Sequence, residues 1–110
     1  MPAGNYDIII EKKATFSFSA SFKQANGSAL NLTNRTLTGE IRRDFDNGLQ
    51  ATFTITKTDA TGGAANISLT SAQTSALTLD DSHYDIFSVI SGTTERLLEG
   101  KVTIIKNITA

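Results

Sequence analysis

A single histidine, His83, stands among three carboxylates, Asp80, Asp81 and Asp85, and this is the one stretch where metal or acid–base chemistry can be sought. The chemistry does not assemble. A structural or catalytic zinc site draws on several imidazole or thiolate ligands, and one histidine in a chain without cysteine supplies neither a second nitrogen nor a sulfur. The spacing of a calcium-binding EF-hand loop is absent, and no nucleophile stands in a pattern that the imidazole would serve as base. Asp80, Asp81 and Ser82 instead precede an apolar run, where short polar side chains bond their own backbone and make a turn. Gly62-Gly63 lacks the lysine and the long following helix of a phosphate loop, and no dinucleotide fingerprint is present. The expectation is a protein with no catalytic residue, no cofactor-binding residue and no metal ligand, and so not an enzyme.

The charged side chains point elsewhere. Glu95, Arg96, Glu99 and Lys101 alternate in sign, and Arg42-Arg43-Asp44 does the same, which suits exposed cross-strand pairs worth a fraction of a kcal/mol each. Arginine is enriched where proteins meet, because its planar fork satisfies a carboxylate or a carbonyl, so Arg42, Arg43 and Arg96 are the candidate interface residues. Ten basic residues nearly cancel eleven acidic ones and are scattered, so there is no basic field for nucleic acid or an anionic membrane. No small-molecule substrate is implied either. Ile8-Ile9-Ile10 is the longest apolar stretch near the N-terminus, short of a signal segment or of the roughly 20 residues that span a bilayer, so synthesis in the cytoplasm without export is expected. Glycosylation triplets begin at Asn26, Asn31, Asn34, Asn66 and Asn107, and chance explains them in a chain with seven asparagines and sixteen threonines.

The elements that carry these residues read as strands. Sixteen threonines, ten serines and eight glycines against one proline favour strands and turns over helices. Phe16, Phe18, Ala20 and Phe22 alternate with Thr15, Ser17, Ser19 and Ser21, the period-two mark of a half-buried strand. Asn26-Gly27 reverses the chain towards Leu30 and Leu32. Leu37, Gly39 and Ile41 form the next strand, and Leu49, Ala51, Phe53 and Ile55 another, joined by Asp46-Asn47-Gly48. After Gly62-Gly63 the alternation resumes at Ala65, Ile67 and Leu69; Ser71 to Leu77 then breaks it as one or two helical turns, with Ser71 as cap and Leu69, Ala72, Ala76 and Leu77 sharing a face. Tyr84 to Ile90 turns at Ser91-Gly92 into Thr94 to Leu98, and a last strand carries Val102, Ile104 and Ile108.

The fold class expected is all-β, an antiparallel β-sandwich of about seven strands with one short helical turn, and a partly closed barrel as the alternative. At 110 residues this is a single domain over 1–110, with residues 1–5 and 108–110 as flexible ends and the arm from Met1 to Tyr6 a candidate for ordering on assembly. Phe16, Phe18, Phe22, Ile41, Phe53, Ile55, Leu69, Tyr84, Ile86 and Val102 are the expected core, and Phe18→Ala is expected to cost roughly 3–5 kcal/mol.

Three stretches together carry a family likeness. Ile10-Glu11-Lys12-Lys13-Ala14-Thr15-Phe16, followed by Phe22 through Asn26-Gly27 to Leu30-Asn31-Leu32-Thr33 and then Glu40-Ile41-Arg42, resembles the opening of small structural proteins of tailed phages. There an "I-E-x-G-A-T-F" strand leads to "W-K-D-x-x-G-x-P-I-D-L-T-G" and an "I-R". The stretch from Gly63 to Leu77 and the end from Tyr84-Asp85-Ile86 through Arg96 to Ile104 look like the same group. Lys13 and Asn34 stand where the pattern prefers glycine, and Phe22 where it prefers tryptophan. The group resembles the N-terminal β-sandwich domain of upper-baseplate proteins, which attaches receptor-binding proteins to a tail. The resemblance implies a virion structural protein, most directly a tail or baseplate adaptor that binds other virion proteins in a symmetric multi-copy assembly. A capsid decoration (cement) protein is the first alternative, and a non-viral protein- or carbohydrate-binding sandwich module the second. The absence of tryptophan counts against a sugar-stacking surface.

Overall fold

The computed structural model describes residues 4–24 and 26–106. Among them nine strands and one short helix follow in the order β1 (Gly4–Asn5), β2 (Ile8–Glu11), β3 (Phe16–Ser21), β4 (Thr36–Arg43), β5 (Leu49–Thr52), β6 (Thr54–Asp59), β7 (Ala64–Leu69), α1 (Ser71–Ser75), β8 (Ser82–Ile90) and β9 (Thr93–Ile105). They form two sheets: a six-stranded one in the order β1-β9-β8-β4-β5, with β2 also on β9, and a three-stranded one in the order β3-β7-β6. Two separate sheets make this a sandwich, not a barrel.

Alternation places the core. Ile8, Ile10, Ile41, Tyr84, Ile86, Val102 and Ile104 face inward from the large sheet, and Ala65, Ile67 and Leu69 from the small one. Fully burying an aliphatic side chain of this size stabilises by about 1.5–3 kcal/mol, so these positions dominate the fold. Seven of the ten expected core residues are buried; Phe16, Phe18 and Ile55 are only partly so. The cause is the narrower sheet. β3 and β6 are its two edges and hold those three residues, while the central β7 is enclosed.

The remaining differences from expectation have local causes. The stretch expected as one strand from Leu49 to Ile55 divides at Phe53: β5 pairs with β4 in the large sheet, and β6 with β7 in the small one. Alternation continues through the switch because Ala51 and Phe53 both face the space between the sheets. The two strands expected after Ser91-Gly92 are one strand of 13 residues, kept continuous past a bulge opposite Ile86 and Phe87. Thr70, not Ser71, caps α1: its hydroxyl accepts from the Gln73 amide while the Gln73 side chain accepts from the Thr70 amide. Ala72 and Ala76 are exposed, and the helix buries Thr74, whose hydroxyl donates to the Ala14 carbonyl at 2.9 Å.

The expected turns hold. Gly27, Asn47, Gly63, Ser91 and Gly92 all have positive φ. At Gly63 a side chain is doubly excluded: φ is +76°, and a Cβ would lie 2.5 Å from the Phe22 carbonyl oxygen.

Most consequential is the N-terminal segment. Gly4 and Asn5, expected within a flexible end, pair in parallel with Leu98 and Glu99, and Ile8–Glu11 pairs in parallel with Val102–Ile105, so the large sheet is mixed and not purely antiparallel. Residues 1–3 and 108–110, the rest of the expected flexible ends, lie outside the described residues.

Candidate functional site

β8 runs through the middle of the large sheet, with Tyr84, Ile86 and Ser88 turned to the core and His83, Asp85 and Phe87 to the outer face. Strand register then fixes what lies beside each outward residue. Arg42 pairs with His83 and His83 with Lys101; two residues along, Glu40 pairs with Asp85 and Asp85 with Glu99. The face therefore carries a row of three nitrogen-bearing side chains next to a row of three carboxylates, about 4.8 Å between strands and roughly 6.6 Å between rows. A third row holds Thr38, Phe87 and Arg96.

A shallow groove of about 720 Å³ crosses these rows, bounded by Asn5 and Asp7 on one side and Asn47 on the other. Two of the three candidate arginines lie in it. Arg42 binds Glu40 at 2.9 Å and the Asn47 carbonyl at 3.0 Å. Arg96 reaches Asp85 at 3.8 Å and Glu99 at 3.7 Å, and its guanidinium lies 5.3 Å from the centre of the Phe87 ring. Stacking on the ring holds the fork in place while leaving donors for a partner. The third, Arg43, stands outside the groove at the end of β4, bound to Asp46 at 3.1 Å and stacked over Phe45 at 5.7 Å. The hydrogen bonds that Arg43 donates to Asp46 hold the Arg43 pKa above its usual value and that of Asp46 below.

Asp85 sits at the centre of the carboxylate row. Burial pushes its carboxyl above the ordinary range; Arg96 and His83 oppose the shift, and Glu40 and Glu99 reinforce it. The face thus has fixed charges of both signs and one carboxylate for which ionisation is costly.

The histidine and the aspartates near it in sequence do not converge on one site. His83 Nδ1 lies 2.7 Å from Asp44 Oδ1, a partner 39 residues away, and not on Asp80, Asp81 or Asp85. Asp80 accepts from the Thr78 hydroxyl at 2.7 Å, and the Asp81 carbonyl accepts from the Asp44 amide at 2.9 Å. Among the described residues no three His, Cys, Asp or Glu side chains gather to hold a metal ion. Nor is any helix among them long and apolar enough to cross a membrane.

Sequence reasoning passed over Arg35 and Phe87. Arg35 is 14% exposed and joins two strands, donating to the Ser88 hydroxyl at 2.9 Å and to Glu95 at 3.2 Å. Nothing in its neighbourhood of Asn34 and Thr36 marks it for burial. Phe87 was legible in principle, since alternation from Tyr84 and Ile86 puts it on the outer face.

No protein-family model matches the chain, and no curated protein matches it in sequence. Solved structures with a similar backbone include the filamin domain of Lin-41, at 14% identity over 88% of this chain and 82% of that one, with a TM-score of 0.46. Another is a family 123 glycoside hydrolase from Clostridium perfringens, at 8% identity and a TM-score of 0.44. This chain is covered over 97% of its length in that match but corresponds to only 24% of the hydrolase. The all-β sandwich stands on the two sheets themselves.

Proposed function

We propose that the protein is a structural adaptor of a tailed-phage particle, placed at the tail or baseplate, that docks other virion proteins in a symmetric multi-copy assembly. The sequence resemblance to tailed-phage structural proteins supports the choice of particle. The observation that carries the docking role is the register of Arg42, His83 and Lys101 beside Glu40, Asp85 and Glu99, which sets a row of nitrogen-bearing side chains beside a row of carboxyl groups on the outer face of the large sheet. Charge patterns of this kind set orientation and exclude wrong partners more than they add affinity. In a repeated assembly many modest contacts combine, so weak single interfaces suffice.

The test is particle fractionation with cryo-electron microscopy of the source phage, comparing the native protein with Arg42→Glu/Arg96→Glu. Density at the tail or baseplate with the striped face against a neighbour, and loss of incorporation in the variant, is the expected result. Density on the head shell would replace the tail assignment with capsid decoration. Absence from purified heads and tails would overturn the virion role.

A further inference from the structure

At the end of the sandwich where β8 begins, two exposed apolar side chains stand in unlike surroundings. Leu79, 55% exposed, lies in a hollow with Lys12, Lys13 and Lys106. Phe45, 72% exposed, lies in a second hollow with Asp44, Asp80 and Asp81. Consecutive residues, Leu79 and Asp80, line the two hollows.

Three separate segments build the basic hollow. The end of β2 pairs with the end of β9, and the Lys12 amide donates to the Ile105 carbonyl at 3.0 Å, which brings the β2–β3 turn beside Lys106. The Lys12 ammonium donates to the Leu77 carbonyl at 2.7 Å and ties this corner to the segment carrying Leu79. The acidic hollow forms because the Asp44 amide donates to the Asp81 carbonyl at 2.9 Å. Arg43, paired with Asp46 at 3.1 Å, also stacks over Phe45 at 5.7 Å and feels Asp80, and His83 bonds Asp44 at 2.7 Å, so the three aspartates leave the hollow acidic in excess, not purely acidic. Glu11, next to Lys12 in sequence, does not line the basic hollow.

The hollows carry opposite excess charge: three lysines beside Leu79, and three aspartates beside Phe45, whose other neighbour is the Arg43 guanidinium. A surface carrying both complements itself under a two-fold rotation between them, with the lysines and Leu79 of one copy against the aspartates and Phe45 of the next. We infer that this end of the sandwich is a self-association surface and that its occupant is a second copy of the same chain, in a closed two-fold pair. The inference deepens the multi-copy part of the proposed function but uses a different surface from the striped face.

The size of the contact sets its strength. The 13 residues of β9 span roughly 43 Å at about 3.3 Å each, matching the 44 Å long axis, so an end-on contact is bounded by the 27 and 22 Å extents. That is roughly 600 Å² per protomer, below the ~800 Å² of a standard stable interface. The pair is therefore weak, salt-sensitive and suited to reinforcement in a larger array.

Sedimentation velocity of the full chain tests this, across roughly 10 µM to 1 mM to span weak affinities, at low and high salt. A monomer–dimer equilibrium weakened by salt is expected. Lys13→Glu/Lys106→Glu makes both hollows acidic and Asp80→Lys/Asp81→Lys makes both basic; each variant alone should associate at least about tenfold more weakly, through like-charge contact. Mixing the two restores both complementary contacts, so a heterodimer should return. Circular dichroism of each variant establishes folding, and recovery in the mixture cannot arise from a misfolded partner. A monomer at every concentration, a dimer indifferent to both variants, or oligomers that grow without limit would each overturn the closed pair. None of these outcomes bears on docking by Arg42 and Arg96, which is read from particle incorporation.

Discussion

The phenol of Tyr84, in the middle of the large sheet, donates its hydrogen bond to the main-chain carbonyl of Tyr6, 78 residues earlier. Tyr84 is 1% exposed, so a core side chain holds the first segment of the chain against β9. The Tyr6 amide completes the attachment by donating to the Glu99 carbonyl at 2.8 Å. The N-terminal segment, which borders the charged groove through Asn5 and Asp7, is thus part of the folded domain.

Tyr84→Phe keeps the ring and removes the hydroxyl. The expected loss is about 1 kcal/mol of unfolding free energy, read by denaturant titration, with faster amide exchange concentrated in residues 4–11. Uniformly faster exchange would show that the bond does not hold that segment in particular.

The same phenol gives a pH dependence. Burial, with Tyr6 and Asp7 nearby, raises the Tyr84 pKa well above its ordinary 10.0. A raised folded-state pKa means that its contribution is complete below the unfolded value and is lost as the pH rises above it. Stability should therefore fall with increasing pH above 10.0, more steeply in the native protein than in Tyr84→Phe. Equal slopes would remove the effect from Tyr84.

Gly100 tests how closely the N-terminal segment approaches. A Cβ at this position would lie 2.1 Å from the Tyr6 carbonyl oxygen, and a main-chain atom cannot swing aside as a flexible side chain does. Gly100→Ala should release β1 while leaving most of the sandwich intact. The measurement is limited proteolysis near Tyr6, where unchanged resistance would contradict the packing described.

Asp85 offers the opposite sign. Its carboxyl is raised first by burial, so ionisation at neutral pH works against the fold. Asp85→Asn should raise the melting temperature at pH 7, and the gain should vanish below the ordinary carboxyl value of 3.8, where the native side chain is also neutral. A variant less stable at pH 7 would mean that the Arg96 contact at 3.8 Å outweighs burial.

Core substitutions should rank by enclosure. Ile67 is fully buried between Phe18 and Ile55 on β7, and Ile67→Ala should cost about 2–5 kcal/mol. Phe18 lies on an edge strand and is only partly buried, so Phe18→Ala should fall below the roughly 3–5 kcal/mol of an enclosed phenylalanine. Equal costs measured by chemical denaturation would contradict the narrow-sheet explanation.

The sequence by itself determined the strand alternation from Phe16 onward, the turns at Asn26-Gly27, Asp46-Asn47-Gly48, Gly62-Gly63 and Ser91-Gly92, the helical interruption after Leu69, and the inward side of the strands it marked. These are local properties, set by side-chain period and by backbone angles that few residues tolerate. Tertiary structure alone decided that Phe53 marks a change of sheet, that Ile8–Glu11 runs parallel to β9, and that Arg42, His83 and Lys101 form a row beside Glu40, Asp85 and Glu99. Alternation says which face a residue occupies but not which strand lies next to it. Neighbouring strands are chosen by the packing of one core, in which residues distant along the chain compete for the same space.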